Sequence, residues 1–376
     1  MLKGFYLTLM MGPVIAVPVP QPLTDALMSV QVTRTDGQRS GFQLTFAVSK
    51  KSLINTTLLP AGFFDPLVRV IIVATVNGVP DVLMDGVITR QEITPSSTPG
   101  QSTLTVTGED LTVLMDLVDL TGLFLYPALS DQLIVELILA KYIVFGIIPL
   151  AIPSLLPNLP DPLKRIAVHM GTDLGYIQIL AEENAYVFYI EPGPAPGTNI
   201  AYWGPKVKIG IPQPALSINM DADTNVESLS FSLDGQSSEL VIMFVPDPIT
   251  QKIPIPVPLP DISILQPPLA LRPTPKTKVK LLKGTAKLNL TEAALLGLSK
   301  TAKAADSVTG NGQLDVVRYG HVLKARGLVG VRGVGLAYDG LYYVSSVTHN
   351  IKRGEYKQSF TLSREGLLPL TPAVLP

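Results

Sequence analysis

The stretch "YDGLYYVSSVTHNIKRGEYKQSFTLSREG", residues 338–366, is the most regularly patterned in the chain. Aromatic and β-branched residues alternate with hydroxyls on either side of "KRGE", which predicts two antiparallel strands joined by a tight turn. Strict alternation places Tyr343, Ser345, Val347 and His349 on one face and Tyr342, Val344, Ser346 and Thr348 on the other. The stretch holds charges and hydroxyls but no spaced nucleophile or acid–base set, so its expected role is structural.

Composition narrows the classes. The 376 residues include 29 Lys and Arg against 30 Asp and Glu, a net charge of −1, so there is no basic excess to hold a polyanion. The absence of cysteine excludes a disulfide scaffold and thiolate or Cys–metal chemistry. With 16% charged and 47% hydrophobic residues and a mean hydropathy of +0.35, a monomer has too little polar surface to cover itself. Part of the exterior is expected to be buried against other protein chains.

A membrane span does not account for this hydropathy. The most apolar region, Leu133–Pro160, is interrupted by Glu136 and Lys141 and then by Pro149, Pro153, Pro157 and Pro160. About 20 uninterrupted helical residues are needed to cross a bilayer. A buried helix over 130–144 followed by an apolar Pro-rich loop is expected instead. The N-terminus "MLKGFYLTLMMGPVIAVPVPQP" has one positive residue before its apolar run, several prolines and no small-x-small cleavage site. Residues 1–26 are therefore expected to remain on the protein as an extended segment packed against another chain or domain.

Along the chain, "MSVQVTRT", "GFQLTFAVS", "LVRVIIVATV", "PDVLMDGVITRQEIT" and "STLTVTGED" predict five strands separated by turn dipeptides such as Asn77-Gly78, a small barrel or sandwich over 27–115. Helical periodicity follows in "EDLTVLMDLVDL", where Glu109 and Asp110 suit a helix N-terminus. A second helix is expected at "TDLGYIQILAEENA", capped by Thr172 or Asp173, and a third at "NLTEAALLGLSKTAKAA". Between Phe244 and Lys278 proline dominates, which disfavours both helix interior and central strand. The histidines His169, His321 and His349 lack metal-type spacing. "DADTN" at 221–225 departs from a calcium loop at Val226 and Ser232, and the glycines of "GLVGVRGVG" lack a phosphate-cradling register. A strand turn and a tight bend are the expectations for these two.

The hairpin is also where the chain resembles a known family. "LDVVRYGHVLKARGLVGVRGVGLAYDGLYYVSSVTHNIKRGEYKQSFTLSREG" resembles the closing segment of baseplate hub proteins of contractile phage tails and contractile injection systems, a group that includes late control D proteins and the hub part of VgrG. In that family a G-x-Y-Y-V-x-x-V-x-H strand precedes a turn and G-x-Y-x-x-x-F-x-L-x-R. Gly340, Tyr342, Tyr343, Val344, Val347 and His349 match the first strand, and Gly354, Tyr356, Phe360, Leu362 and Arg364 the second. Residues 65–116 resemble the first hub barrel, with a D-G-x-I-T strand and a T-G-x-D strand end. "TDLGYIQILAEENAYVFYIEPG" resembles the family's middle segment.

The resemblance implies a mainly β chain with an α+β insertion: two tail-tube-like β-barrels plus a helical, Pro-rich inserted domain. The first barrel falls at 27–115, the second at 211–235 and 314–366, the insertion at 116–210 and 236–313, and a tail at 367–376. The implied function is a structural adaptor, a homotrimer joining a six-fold inner tube protein to a three-fold spike, with other baseplate components around it. No catalytic residue, cofactor, metal, nucleic-acid recognition or direct membrane span is implied. Assembly is expected in the cytoplasm as part of a phage tail-like particle. Only "EGLLPLTPAVLP" follows Arg364, so the spike is expected to be a separate polypeptide. Two other classes fit the composition: a secreted β-sandwich binding protein, and a peptidoglycan-degrading enzyme, for which no spaced carboxylate pair is visible. On the structural reading, Val344→Asp or Phe360→Asp, whichever faces the core, stops assembly, whereas alanine at His349 or Arg364 costs about 1–3 kcal/mol.

Overall fold

The computed structural model describes residues 4–98, 101–154, 166–235, 239–246, 254–258, 267–276, 278–282 and 306–371. In chain order the elements are β1 (Phe5–Gly12), β2 (Val17–Pro18), α1 (Gln21–Ala26), β3 (Leu27–Thr35), β4 (Gly41–Ala47), β5 (Arg69–Val76), β6 (Val79–Thr94) and β7 (Thr103–Asp110). Next come β8 (Leu125–Tyr126), α2 (Asp131–Ala140), β9 (Ile147–Ala151), β10 (Ala167–Val168), α3 (Asp173–Glu183), β11 (Tyr186–Pro192) and β12 (Asn199–Pro205). The remainder holds β13 (Gln213–Ser217), β14 (Val226–Leu233), β15 (Glu239–Pro246), β16 (Pro254–Pro258), β17 (Ala270–Pro273) and β18 (Lys278–Leu282). It closes with β19 (Val308–Asp315), β20 (Leu328–Arg332), β21 (Gly340–Lys352), β22 (Glu355–Arg364) and β23 (Gly366–Pro369).

Thirteen strands form one sheet, ordered β14-β19-β22-β21-β3-β4-β7-β6-β5-β1-β2, with β20 on β21 and β13 on β20. The fold is mainly β as expected, and among the described residues the strands of the two tail-tube-like barrels are not closed separately but hydrogen-bonded into a single path. The cause is the length of β21. Its Gly340–Tyr343 part pairs with β20, and its Ser346–Lys352 part pairs with β3 of the other half. β20 has five residues against thirteen in β21, so it leaves most of that edge open, and β3 occupies it. One apolar core serves both halves, running from Val30, Phe46, Ile72 and Val106 to Val329, Val344, Val347 and Leu362.

The five strands read at 27–110 are present as β3 to β7. The N-terminal segment is extended but not free: β1 pairs with β5 over its full length, so its packing partner lies in the same chain. The helix expected after Asp110 is a single 3-10 turn, Leu111–Met115, with Asp110 accepting from Thr112 N at its start. Four residues on, Asp119 bridges to Thr172, which ends the helical run early. α2 starts on Ser130 and α3 on Thr172, each hydroxyl accepting from a backbone N–H three residues on. The apolar loop expected after α2 contains a strand, β9, parallel to β12. The proline tract supplies β16, at one edge of a three-stranded sheet, a position that tolerates missing N–H donors. The helix expected at "NLTEAALLGLSKTAKAA" lies outside the described residues. A second core, with Trp203, Ile134, Leu139, Ile177 and Leu180, holds α2, α3 and the β9–β12 sheet together. Among the described residues no helix is long and apolar enough to cross a membrane.

Candidate assembly surface

The β21–β22 hairpin is built around one irregularity. Val344 pairs with Leu362 and Ser346 with Thr361, so Ser345 is an extra residue, a β-bulge. Ahead of the bulge Tyr342 and Val344 point into the core; after it Val347, His349 and Ile351 do. Strict alternation along this strand is thereby corrected. The bulge lies where β21 changes partner from β20 to β3, and the Asp36 N–H donates to the Ser345 carbonyl there.

Each residue of the hairpin motif has a definite place. Val344, Val347, Tyr356, Phe360 and Leu362 lie in the common core, so both proposed aspartate positions face it. Tyr343 points to the other side, against Leu269 and Leu328, with Lys206 Nζ 4.5 Å from its ring centroid. Gly340 has φ +108°, and a Cβ there would lie 2.2 Å from Pro369 Cβ, so only glycine fits. Gly354, φ +75°, makes the turn. His349 is buried; the Tyr356 hydroxyl approaches its Nδ1 at 2.8 Å, and Gln358 joins them to the backbone N–H and carbonyl of Leu323. Burial, aided by the charge of Arg34, pulls the imidazole pKa down to about 3, so it is neutral in the fold.

Arg364 is fully buried, and the sequence gives no hint of how it is satisfied. Its Nε donates to the Gly366 carbonyl and its two terminal nitrogens to Asp339 and Ala337, all at 2.9 Å. The guanidinium also stacks 4.3 Å from the Tyr342 ring centroid. One side chain thus fastens the loop entering β21 to the segment leaving β22. Burial lowers its pKa from the ordinary arginine value.

The middle of the main sheet's face opposite the core is lined with short hydroxyl and amide side chains, and Arg90, Glu92, Glu109 and Lys357 lie on the same face around them. Ser230, Asn311, Thr361, Thr348, Thr33, Gln43 and Thr107 represent successive strands from β14 to β7. Across the seam between halves, Thr33 meets Thr348 at 3.1 Å and Thr35 meets Ser346 at 2.9 Å. These side chains are the outward members of the strand alternation, and the signal was present in "MSVQVTRT" as Ser29, Gln31, Thr33 and Thr35.

Sequence reasoning missed how the inserted unit is fastened to this wall. Arg69 and Asp85 form a buried bidentate pair, with both contacts at 2.7 Å. Arg69 also donates to the carbonyls of Phe145 and Gly197, and Asn199 donates to Asp85. At the far ends of β3 and β21, Arg34 pairs with Glu191, Lys206 with Asp36 at 2.8 Å, and Lys208 with Asp306 at 2.6 Å. Lys208 and Lys206 hold the Asp306 carboxyl below its usual range against the opposing effect of burial. The unit exposes Leu133 and Leu137 of α2 and Ile148 and Leu150 of β9. His169 is buried between Tyr126, whose hydroxyl is 3.0 Å from Nδ1, and Asp173, and burial lowers its pKa.

No protein-family model and no curated protein matches the chain. Among solved structures it is similar to the tail protein from Neisseria meningitidis MC58, with a TM-score of 0.65 at 13% identity over 97% of this chain and 98% of that one. It is similar to the 43 kDa tail protein of prophage MuSo2 from Shewanella oneidensis, with a TM-score of 0.59 at 12% identity over 97% and 99%. A chain of the Francisella PdpA-VgrG complex is matched at 0.59 and 10% identity, over all of this chain and 55% of that one. At these identities the likeness is one of fold: the chain has the fold of phage tail proteins.

Proposed function

We propose that the protein is the structural hub of a phage tail-like or contractile injection particle, a trimeric adaptor between a six-fold inner tube and a three-fold spike. The observation that carries this is the edge-to-edge joining of two sets of strands at the Ser345 bulge. Each copy then presents two wall segments, and three copies present six. The hydroxyl-lined face is the inner wall of that ring, since its middle carries short uncharged side chains and charges around it are paired, as Arg90 with Glu92 and Lys357 with Glu227, so that it neither repels nor retains a passing polymer. The inserted unit sits at the Thr35 end of the seam and occurs once per copy, so its end of the ring is three-fold and faces the spike. Its exposed leucines and isoleucines are contact surface for neighbouring chains, which accounts for the hydropathy. The protein acts without catalysis, and it is assembled in the cytoplasm.

Native mass measurement of the purified full chain tests the proposal. At micromolar concentration a trimer is expected, with a ring visible by negative-stain microscopy. A well-behaved monomer under those conditions would count decisively against the hub.

A further inference from the structure

We propose that a groove at the end of the seam remote from the inserted unit is the docking site for an acidic, apolar-tipped loop of the inner tube protein. This deepens the hub reading and rests on it. The groove has a volume of about 510 Å³, within the roughly 300–1,000 Å³ of binding pockets. It is formed where the start of β3 meets the β21–β22 turn, so both halves of the chain contribute to it.

Its walls are apolar: Phe5 and Leu7 from β1, Leu27 and Val30 from β3, and Ile351 from β21. Met28, 48% exposed, lines it as well. Among its thirteen lining residues the only charged ones are Lys352 and Arg353, both exposed at the turn. Arg353 donates to the backbone carbonyl of Asp25, which fixes the mouth, and Lys352 forms no ion pair among the described residues. An apolar slot with two cations at its rim is complementary to an apolar side chain flanked by carboxylates.

Position selects the occupant. Counted along β3, the inserted unit contacts Arg34 and Asp36, whereas the groove is lined by Leu27–Val30, at the opposite end of the strand. That end of the wall carries strand ends and turns from both halves, the arrangement a six-fold ring can meet in register. A neighbouring copy placed side by side would meet the sheet edges, whereas the groove is lined by the starts of β1 and β3 and by the β21–β22 turn.

The test uses the full chain and the purified tube protein of the same particle, in cosedimentation with native mass measurement alongside. The double variant Lys352→Glu, Arg353→Glu and the single variant Met28→Asp are each expected to weaken tube binding at least tenfold while the trimer mass is unchanged. Wild-type binding is expected to weaken with added salt. Unchanged tube affinity in both variants would overturn the assignment, as would loss of the trimer in either, which would make the groove a contact between copies. A wild-type trimer that binds no tube protein would instead overturn the hub reading, an outcome visible without any variant.

Discussion

Replacing Arg364 with alanine is expected to remove about 4–6 kcal/mol of stability and to abolish particle assembly. The guanidinium supplies three hydrogen bonds to buried carbonyls, and bonds from a charged donor contribute about 1.5–3 kcal/mol each. Alanine removes a charged donor from each of those carbonyls, of which Ala337 keeps only the Leu368 N–H, and opens a cavity beneath Tyr342. Against a typical domain stability of about 5–15 kcal/mol, this is a loss few folds survive. The substitution therefore ranks with Val344→Asp and Phe360→Asp, not below them as the sequence pattern suggested. Lysine recovers only part of the effect, because a point charge cannot serve three carbonyls in the plane of a fork. Urea unfolding of the alanine and lysine variants, read with particle yield, checks this; a loss under about 1 kcal/mol for alanine would refute it.

The second large effect is expected in acid. His349 has a folded pKa of about 3 against about 6.5 unfolded, so between these values the unfolded chain takes up a proton that the folded chain refuses. The stabilisation is fully present above about pH 6.5 and is lost progressively as pH falls toward 3, reaching about 5 kcal/mol. His169 acts in the same direction, as do the lowered carboxyls of Asp116, Asp119 and Asp306 nearer their own range. Asp110 opposes them: burial raises its carboxyl, so its protonation favours the folded chain as pH falls. His349→Gln keeps an acceptor for Tyr356 and removes the titration. Stability of this variant should change less between pH 6.5 and 4 than that of the wild type. Parallel pH profiles for the two proteins would show that the imidazole does not govern acid lability.

Local signals in the chain were read well where one residue type had one physical use. Ser130 and Thr172 announced helix starts because a hydroxyl there accepts an orphan N–H, and Asn77-Gly78 announced a hairpin turn because both residues tolerate positive φ. The β21–β22 motif identified the fold. Ser345 was illegible because an extra residue in a strand has no composition of its own; it is defined by the partner strand, and its partners come from both halves. Closure failed for the same reason, since which edge β21 offers to β3 depends on the length of β20. The Arg69–Asp85–Asn199 joint combines residues 114 positions apart and has no local pattern at all. Pro254–Pro258 as a strand was missed because proline excludes a central position but not an edge.

The seam between β21 and β3 also sets when the molecule can be finished. Thr33 and Thr348 are 315 residues apart, so during synthesis β3 waits for its neighbour while nearly all the rest of the chain is made. At about 5–20 residues per second that wait is roughly 15–60 s. Throughout it one edge of the early strands stays open to mispairing, and the high sequence separation makes the final zipping slow. A product terminated before β19 lacks β19 to β22, the joint at Ser345 and that half's share of the common core. It therefore cannot form a complete wall, and synthesis of Val308–Arg364 acts as a completeness check on the fold.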